Sequence, residues 1–212
     1  MMFKQIFHEE SASYTYLIAC LKTRNAVLID PVNTTIDDYI ALLEEHNLTL
    51  KFALDTHLHA DHITASGLLK RMLGCQTAVS ALCHTNNADI EIQDGDIFSL
   101  SDTESIRAMS TAGHTTGSVC FLWRDRIFTG DTLLINGCGR TDFQGGDAAT
   151  LYNTITQLLF TLPDSTLVYP GHDYSGHYVS NIAQEKTSNA RLANKTQAEF
   201  IEIMDNLDLP CP

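Results

Sequence analysis

The chain has 212 residues, enough to bury a full core in one domain, and 44% of them are hydrophobic, an ordinary share for a globular protein. No apolar run approaches a membrane span, so no bilayer segment is expected; a formal net charge of −13 at pH 7 repels polyanions and sets nucleic acid aside as a partner. The six cysteines (Cys20, Cys75, Cys83, Cys120, Cys138 and Cys211) form no CxxC pair, which predicts free thiols in a reducing compartment.

The first ten residues turn acidic too soon for a signal or transit peptide. A soluble protein of the cytoplasm is expected, or of the mitochondrial matrix if the source is eukaryotic and the chain is processed. Phe3–Phe7, Ser13–Ala19 and Ala26–Ile29 read as short strands, and Asp30-Pro31 stops the third because proline lacks the ladder donor. Thr35 and Asp38 look like a capping box, followed by Ile36, Tyr39, Ile40 and Leu43 at helical spacing. The apolar run Leu48–Leu54 is the next strand. Leu68, Leu69, Met72 and Leu73 mark a second helix with Gly74 as its stop.

Further on, Thr77–Ser80, Asp96–Leu100, Ser105–Met109, Val119–Trp123 and Arg126–Thr129 are strand candidates, with turns at Asp94-Gly95 and Arg124-Asp125. A third helix is predicted from about Ala148 to Leu162, then a strand at Thr166–Tyr169. A second capping box, Thr196 with Glu199, opens a last helix that Pro210 ends. Two sheets covered by helices fit this order better than one doubly wound sheet. One α/β domain spanning 1–212 is expected, with 178–212 a short C-terminal helical extension.

The stretch Thr56-His57-Leu58-His59-Ala60-Asp61-His62 carries the chemistry. On extended backbone residues two apart point the same way, so His57 and His59 aim at one place, while Asp61 and His62 offer ligands to a neighbouring one. Imidazoles beside a carboxylate suit a divalent transition metal. Three more candidates each sit at a strand end beside a glycine: His114 after Gly113, Asp131 after Gly130, and His172 after Gly171.

HxHxDH followed by a GHT histidine, a TGD aspartate and a GHD histidine resembles the metallo-β-lactamase superfamily, which implies a four-layer αβ/βα sandwich. Within it, Gly137-Cys138-Gly139-Arg140-Thr141-Asp142-Phe143-Gln144 resembles the GCGRTDFQ signature of the persulfide dioxygenases. Tyr169-Pro170-Gly171-His172-Asp173-Tyr174-Ser175-Gly176 is similar to that family's YPAHDYxG, with Gly171 in place of alanine, and Ile203–Pro210 resembles its terminus.

The resemblance implies one Fe(II) per chain held by His57, His114 and Asp131. It also implies oxidation of glutathione persulfide by O₂ and water to sulfite and glutathione, and a possible homodimer. His59, Asp61, His62 and His172 would then support the ligands or, in a related hydrolase, hold a second metal such as zinc; the residues spell all seven ligands of a dinuclear site. Asp61 and His172 are the candidates for proton transfer. Arg140 is the candidate for a substrate carboxylate because its fork suits one. Tyr174 and Arg191 are further substrate-binding candidates, and Cys138 reads as a small loop residue. The rival reading is a glyoxalase-II-like dinuclear hydrolase of glutathione thioesters.

Overall fold

The structure is a computed structural model and describes residues 1–208. Pro210, expected to end the last helix, and Cys211 lie outside the described residues. Strands form where β-branched and aromatic residues cluster: β1 Met2–His8, β2 Ser13–Ala19, β3 Asn25–Ile29, β4 Thr49–Leu54, β5 Gln76–Ser80 and β6 Ile90–Ile92. They make one sheet in the order β1-β2-β3-β4-β5-β6, antiparallel from β1 to β3 and parallel from β3 to β6. Parallel neighbours need crossovers, which α1 (Ile36–Glu45) supplies between β3 and β4 and α2 (Ser66–Leu73) between β4 and β5, while a 3-10 turn at Ala81–Cys83 lies between β5 and β6.

A second sheet runs β12-β11-β10-β9-β8-β7. Its strands are β7 Ile97–Ser99, β8 Ser105–Ser110, β9 Val119–Trp123, β10 Arg126–Gly130, β11 Leu167–Pro170 and β12 Ser180–Asn181. Helices α3 (Ala148–Gln157), α4 (Ile182–Ser188) and α5 (Gln197–Asp205) follow in this half of the chain. The chain divides into two compact units, Met1–Ala108 and Met109–Pro212, the boundary falling inside β8.

Each unit has its own core. In the first, Leu17, Leu28, Tyr39, Leu50, Ala53 and Leu69 pack between sheet and helices. In the second, Ile127, Leu133, Leu151, Ile155, Ile182 and Phe200 do so. Each such large side chain, fully buried, is worth about 1.5–3 kcal/mol, so helices too short to persist alone are held by packing. Among the described residues no helix is long and apolar enough to cross a membrane.

Gly74 closes α2 in the left-handed region (φ 71), and the Thr196–Glu199 capping box forms as expected. The Thr35–Asp38 box does not. Thr35 ends a 3-10 turn with φ −106 and ψ 15 instead of extended backbone, and its hydroxyl turns to the Val32 carbonyl and Tyr39 Oη. The third helix also stops earlier than expected, with a 3-10 turn over Leu159–Thr161. Pro163 forces Leu162 extended (ψ 156).

Candidate metal centre

Ligands in parallel sheets collect beyond the carboxyl ends of the strands. In the first unit β3 and β4 run parallel with Ile29 opposite Leu54, so Asp30 and Asp55 leave the sheet side by side. Asp30 is buried; it accepts from Thr56 N at 2.7 Å and from Thr56 Oγ1 at 2.8 Å. Because the Thr56 hydroxyl is spent on Asp30, its oxygen accepts from His57 Nδ1 at 2.9 Å. The proton of His57 therefore sits on Nδ1, and Nε2 carries the lone pair a metal needs.

His59 stacks at 4.2 Å from the His57 ring and 4.3 Å from the His62 ring, and donates through Nε2 to Asp30 Oδ1 at 3.2 Å. Burial alone would raise the Asp30 carboxyl, but the charge and hydrogen bond of His59, with His57 and the Thr56 amide, hold it below its ordinary value. Burial would likewise lower His59, and Asp30 overcomes this and raises it. Asp55 is pushed up by burial, with Thr64 Oγ1 donating to it at 2.6 Å.

His62 donates through Nδ1 to Asp61 at 2.7 Å. Nδ1 of His59 and Nε2 of His62 are buried without a hydrogen-bond partner, and one ligand atom each from His59, Asp61 and His62 lies within 4.8 Å of the others. A cavity of about 390 Å³ in this unit opens beside His57, His59 and His62.

The second unit repeats the device. Strands β10 and β11 run parallel with Gly130 opposite Pro170, so Asp131 and His172 emerge together. His172 Nδ1 donates to Asp131 Oδ1 at 2.7 Å, and Asp131 Oδ2 stands 3.7 Å from His114 Nε2. His114 donates through Nδ1 to the Arg140 carbonyl at 2.7 Å, so here too Nε2 is the lone-pair nitrogen.

Gly139 makes this approach possible: a Cβ there would fall 2.4 Å from the Asp131 carbonyl and 2.6 Å from His114 Nδ1. Gly113 (φ 140) brings its backbone against Leu151 Cα, and Asp147, which caps α3, donates its own amide to the Gly113 carbonyl at 2.8 Å. In each unit the donors are imidazole nitrogens and carboxylate oxygens whose protons are already placed. That chemistry fits a divalent transition metal.

The chain matches the metallo-beta-lactamase superfamily over residues 8–82 and 85–172. It is 46% identical over 215 residues to the mitochondrial persulfide dioxygenase ETHE1 of Homo sapiens, covering 100% of this chain and 84% of that one. The crystal structure of ETHE1 from Myxococcus xanthus superposes with a TM-score of 0.97 at 48% identity, covering 100% of this chain and 93% of that one. The chain belongs to the persulfide dioxygenase family of the metallo-β-lactamase superfamily.

A probable hydroxyacylglutathione hydrolase of Schizosaccharomyces pombe is 33% identical over 184 residues, covering 84% of this chain and 70% of that one. The fold expected from the motifs is therefore the family's, and persulfide dioxygenases are metal enzymes of small-molecule substrates. Sites expected for such an enzyme fall in both units. The second brings together His114, Asp131, His172, Tyr174 and the Arg140 backbone. The exposed Tyr174 ring lies parallel to the His172 ring at 6.0 Å.

Arg140 turns its fork to Asp142, with Nε and Nη2 each 2.7 Å from a carboxylate oxygen. Arg191 gives Nη1 to the Cys138 carbonyl at 2.6 Å. Cys138 is a buried loop residue whose thiol burial pushes up to about 11. It and Cys20, Cys75, Cys83 and Cys120 are free thiols, as expected.

Sequence alone did not point to Asp30, which bonds Thr56 and His59 of the motif, to the Asp55–Thr64 hydrogen bond, or to the buried Glu185. Asp30 carried one signal, a carboxylate directly after an apolar strand.

Proposed function

We propose that this chain is an Fe(II)-dependent persulfide dioxygenase that converts glutathione persulfide, O₂ and water to sulfite and glutathione. The single observation that carries the reading is the 46% identity over the whole chain to a persulfide dioxygenase. The GCGRTDFQ loop from Gly137 to Gln144 supports it. His57, His114 and Asp131 hold one iron per chain, the two histidines through Nε2. When bound, the iron would supply the redox chemistry that couples the persulfide to O₂.

The protein's part is to hold and orient. His172, donating to Asp131 Oδ1, keeps that carboxylate aimed. Asp61 and His172 handle protons as water is consumed. Arg140 exchanges the exposed Asp142 carboxylate for one on glutathione, Tyr174 donates its hydroxyl to the peptide, and Arg191 keeps Nη2 and Nε for the carrier. The chain acts as one domain, 178–212 being its C-terminal extension, and as a homodimer. It works in a reducing compartment, the cytoplasm or a mitochondrial matrix.

The partnerless nitrogens of His59 and His62 favour a second reading. In it His59, Asp61 and His62 would hold a second metal such as zinc, and the metal pair would supply the chemistry for hydrolysis of a glutathione thioester. An oxygen electrode separates the two: uptake of O₂ with glutathione persulfide supports the dioxygenase, and hydrolysis of lactoylglutathione without O₂ uptake supports the hydrolase.

A further inference from the structure

Helix α4 buries a carboxylate. Glu185 has no exposed surface, and Oε2 accepts from Asn136 N at 2.9 Å and from Asn189 Nδ2 at 2.7 Å, while Oε1 is buried without a partner. A leucine would fill this space at less cost, because a buried carboxylate satisfied only by neutral donors carries a desolvation penalty.

What the carboxylate holds is the loop that touches His114. Asn189 Nδ2 also donates to the Gly137 carbonyl at 3.0 Å, Ala190 N donates to Asn136 Oδ1 at 2.9 Å, and Arg191 Nη1 donates to the Cys138 carbonyl. On its other face the same loop gives the Gly139 amide to the Asp131 carbonyl at 2.7 Å and the Arg140 carbonyl to His114 Nδ1 at 2.7 Å. Residues 136 to 140 are thus tied one after another, the first three to α4 and the turn after it, the last two to His114 and Asp131. Backbone between them is short enough that a shift at Asn136 must be felt at Arg140.

We propose that Glu185 is a positioning residue for the metal centre. Through Asn136 and Asn189 it fixes the 136–140 loop, and so the tautomer and aim of the His114 ring. The inference rests on His114 being a metal ligand. Glu185 touches neither substrate nor metal, so its removal acts on how well the site binds, and loss of an orienting partner of this kind weakens metal binding about 10–100-fold.

The test is anaerobic titration of Fe(II) into metal-free protein against a competing chelator, alongside thermal unfolding of the same metal-free samples. Glu185→Ala is expected to weaken Fe(II) binding at least tenfold and to alter the electron paramagnetic resonance spectrum of the nitric oxide adduct. Glu185→Gln, which keeps an oxygen for both donors, is expected to stay within about threefold of wild type. If Glu185→Ala does not fold, Asn189→Ala decides. It removes the amide that joins Glu185 Oε2 to the Gly137 carbonyl, and a loss of about threefold or more is expected.

Variants that melt earlier yet bind Fe(II) as wild type does, with an unchanged spectrum, would reduce Glu185 to a brace and overturn the inference. His114→Ala separates the two claims. If it binds Fe(II) like wild type, the ligand reading fails; if it loses the metal while the α4 variants keep it, only the positioning role fails.

Discussion

Nδ1 of His172 lies 2.7 Å from Oδ1 of Asp131, two residues 41 apart that the parallel pairing of β10 and β11 sets side by side. The bond occupies one carboxylate oxygen and leaves the other facing His114. Replacing His172 with alanine removes the donor that keeps Asp131 aimed. Metal affinity is expected to fall about 10–100-fold, read by metal analysis after dialysis against a chelator. Retention of a full complement would show that the bond does not orient the ligand.

Gly139→Ala places a methyl against the Asp131 carbonyl and the His114 ring, where backbone on one side and a ring held by the Arg140 carbonyl on the other leave no room. The loop must move. Overpacking of this kind costs about 1–3 kcal/mol, so a lower unfolding temperature and a reduced metal content are both expected. A variant that melts and loads like wild type contradicts the close approach.

Arg140 already shows bidentate geometry with Asp142, whose carboxylate is exposed and can be displaced by another. Arg140→Ala is expected to raise KM for glutathione persulfide by about tenfold or more with a smaller change in kcat, since a charge-assisted hydrogen bond of about 1.5–3 kcal/mol is lost from ground state and transition state alike. Steady-state O₂ uptake measures both constants. A collapse of kcat at unchanged KM would place Arg140 in the chemistry instead.

Much of the candidate site could be read from the residues because each candidate ligand follows an apolar strand and sits beside a glycine or in the HxHxDH run. The supporting groups could not. Asp30 meets Thr56 across 26 residues, and nothing local announces that pairing. Helix α4 escaped for another reason: its buried positions include Glu185, with the buried Asn189 one turn beyond, so the apolar period that marks a helix is broken by the polar groups that clamp the loop. The Thr35 box shows the opposite error, a capping pattern overruled by a 3-10 turn and the Tyr39 hydroxyl.

Cys138 gives a pH signature. Burial holds its thiol at about 11 against an ordinary 9.0. The folded chain therefore keeps a proton that the unfolded chain loses above 9.0, and stability falls as pH rises from there towards 11. The loss is on the order of 2 kcal/mol. Cys138→Ala is expected to remove this part of the slope in urea unfolding of the metal-free protein between these limits, and identical slopes in the two proteins would refute it.

The most direct measurement pairs an oxygen-electrode trace with metal analysis of protein purified without air. The account predicts about one iron per chain and stoichiometric O₂ uptake with glutathione persulfide, yielding sulfite over many turnovers. Two metals per chain in fully active protein, or hydrolysis of lactoylglutathione with no O₂ consumed, would contradict it.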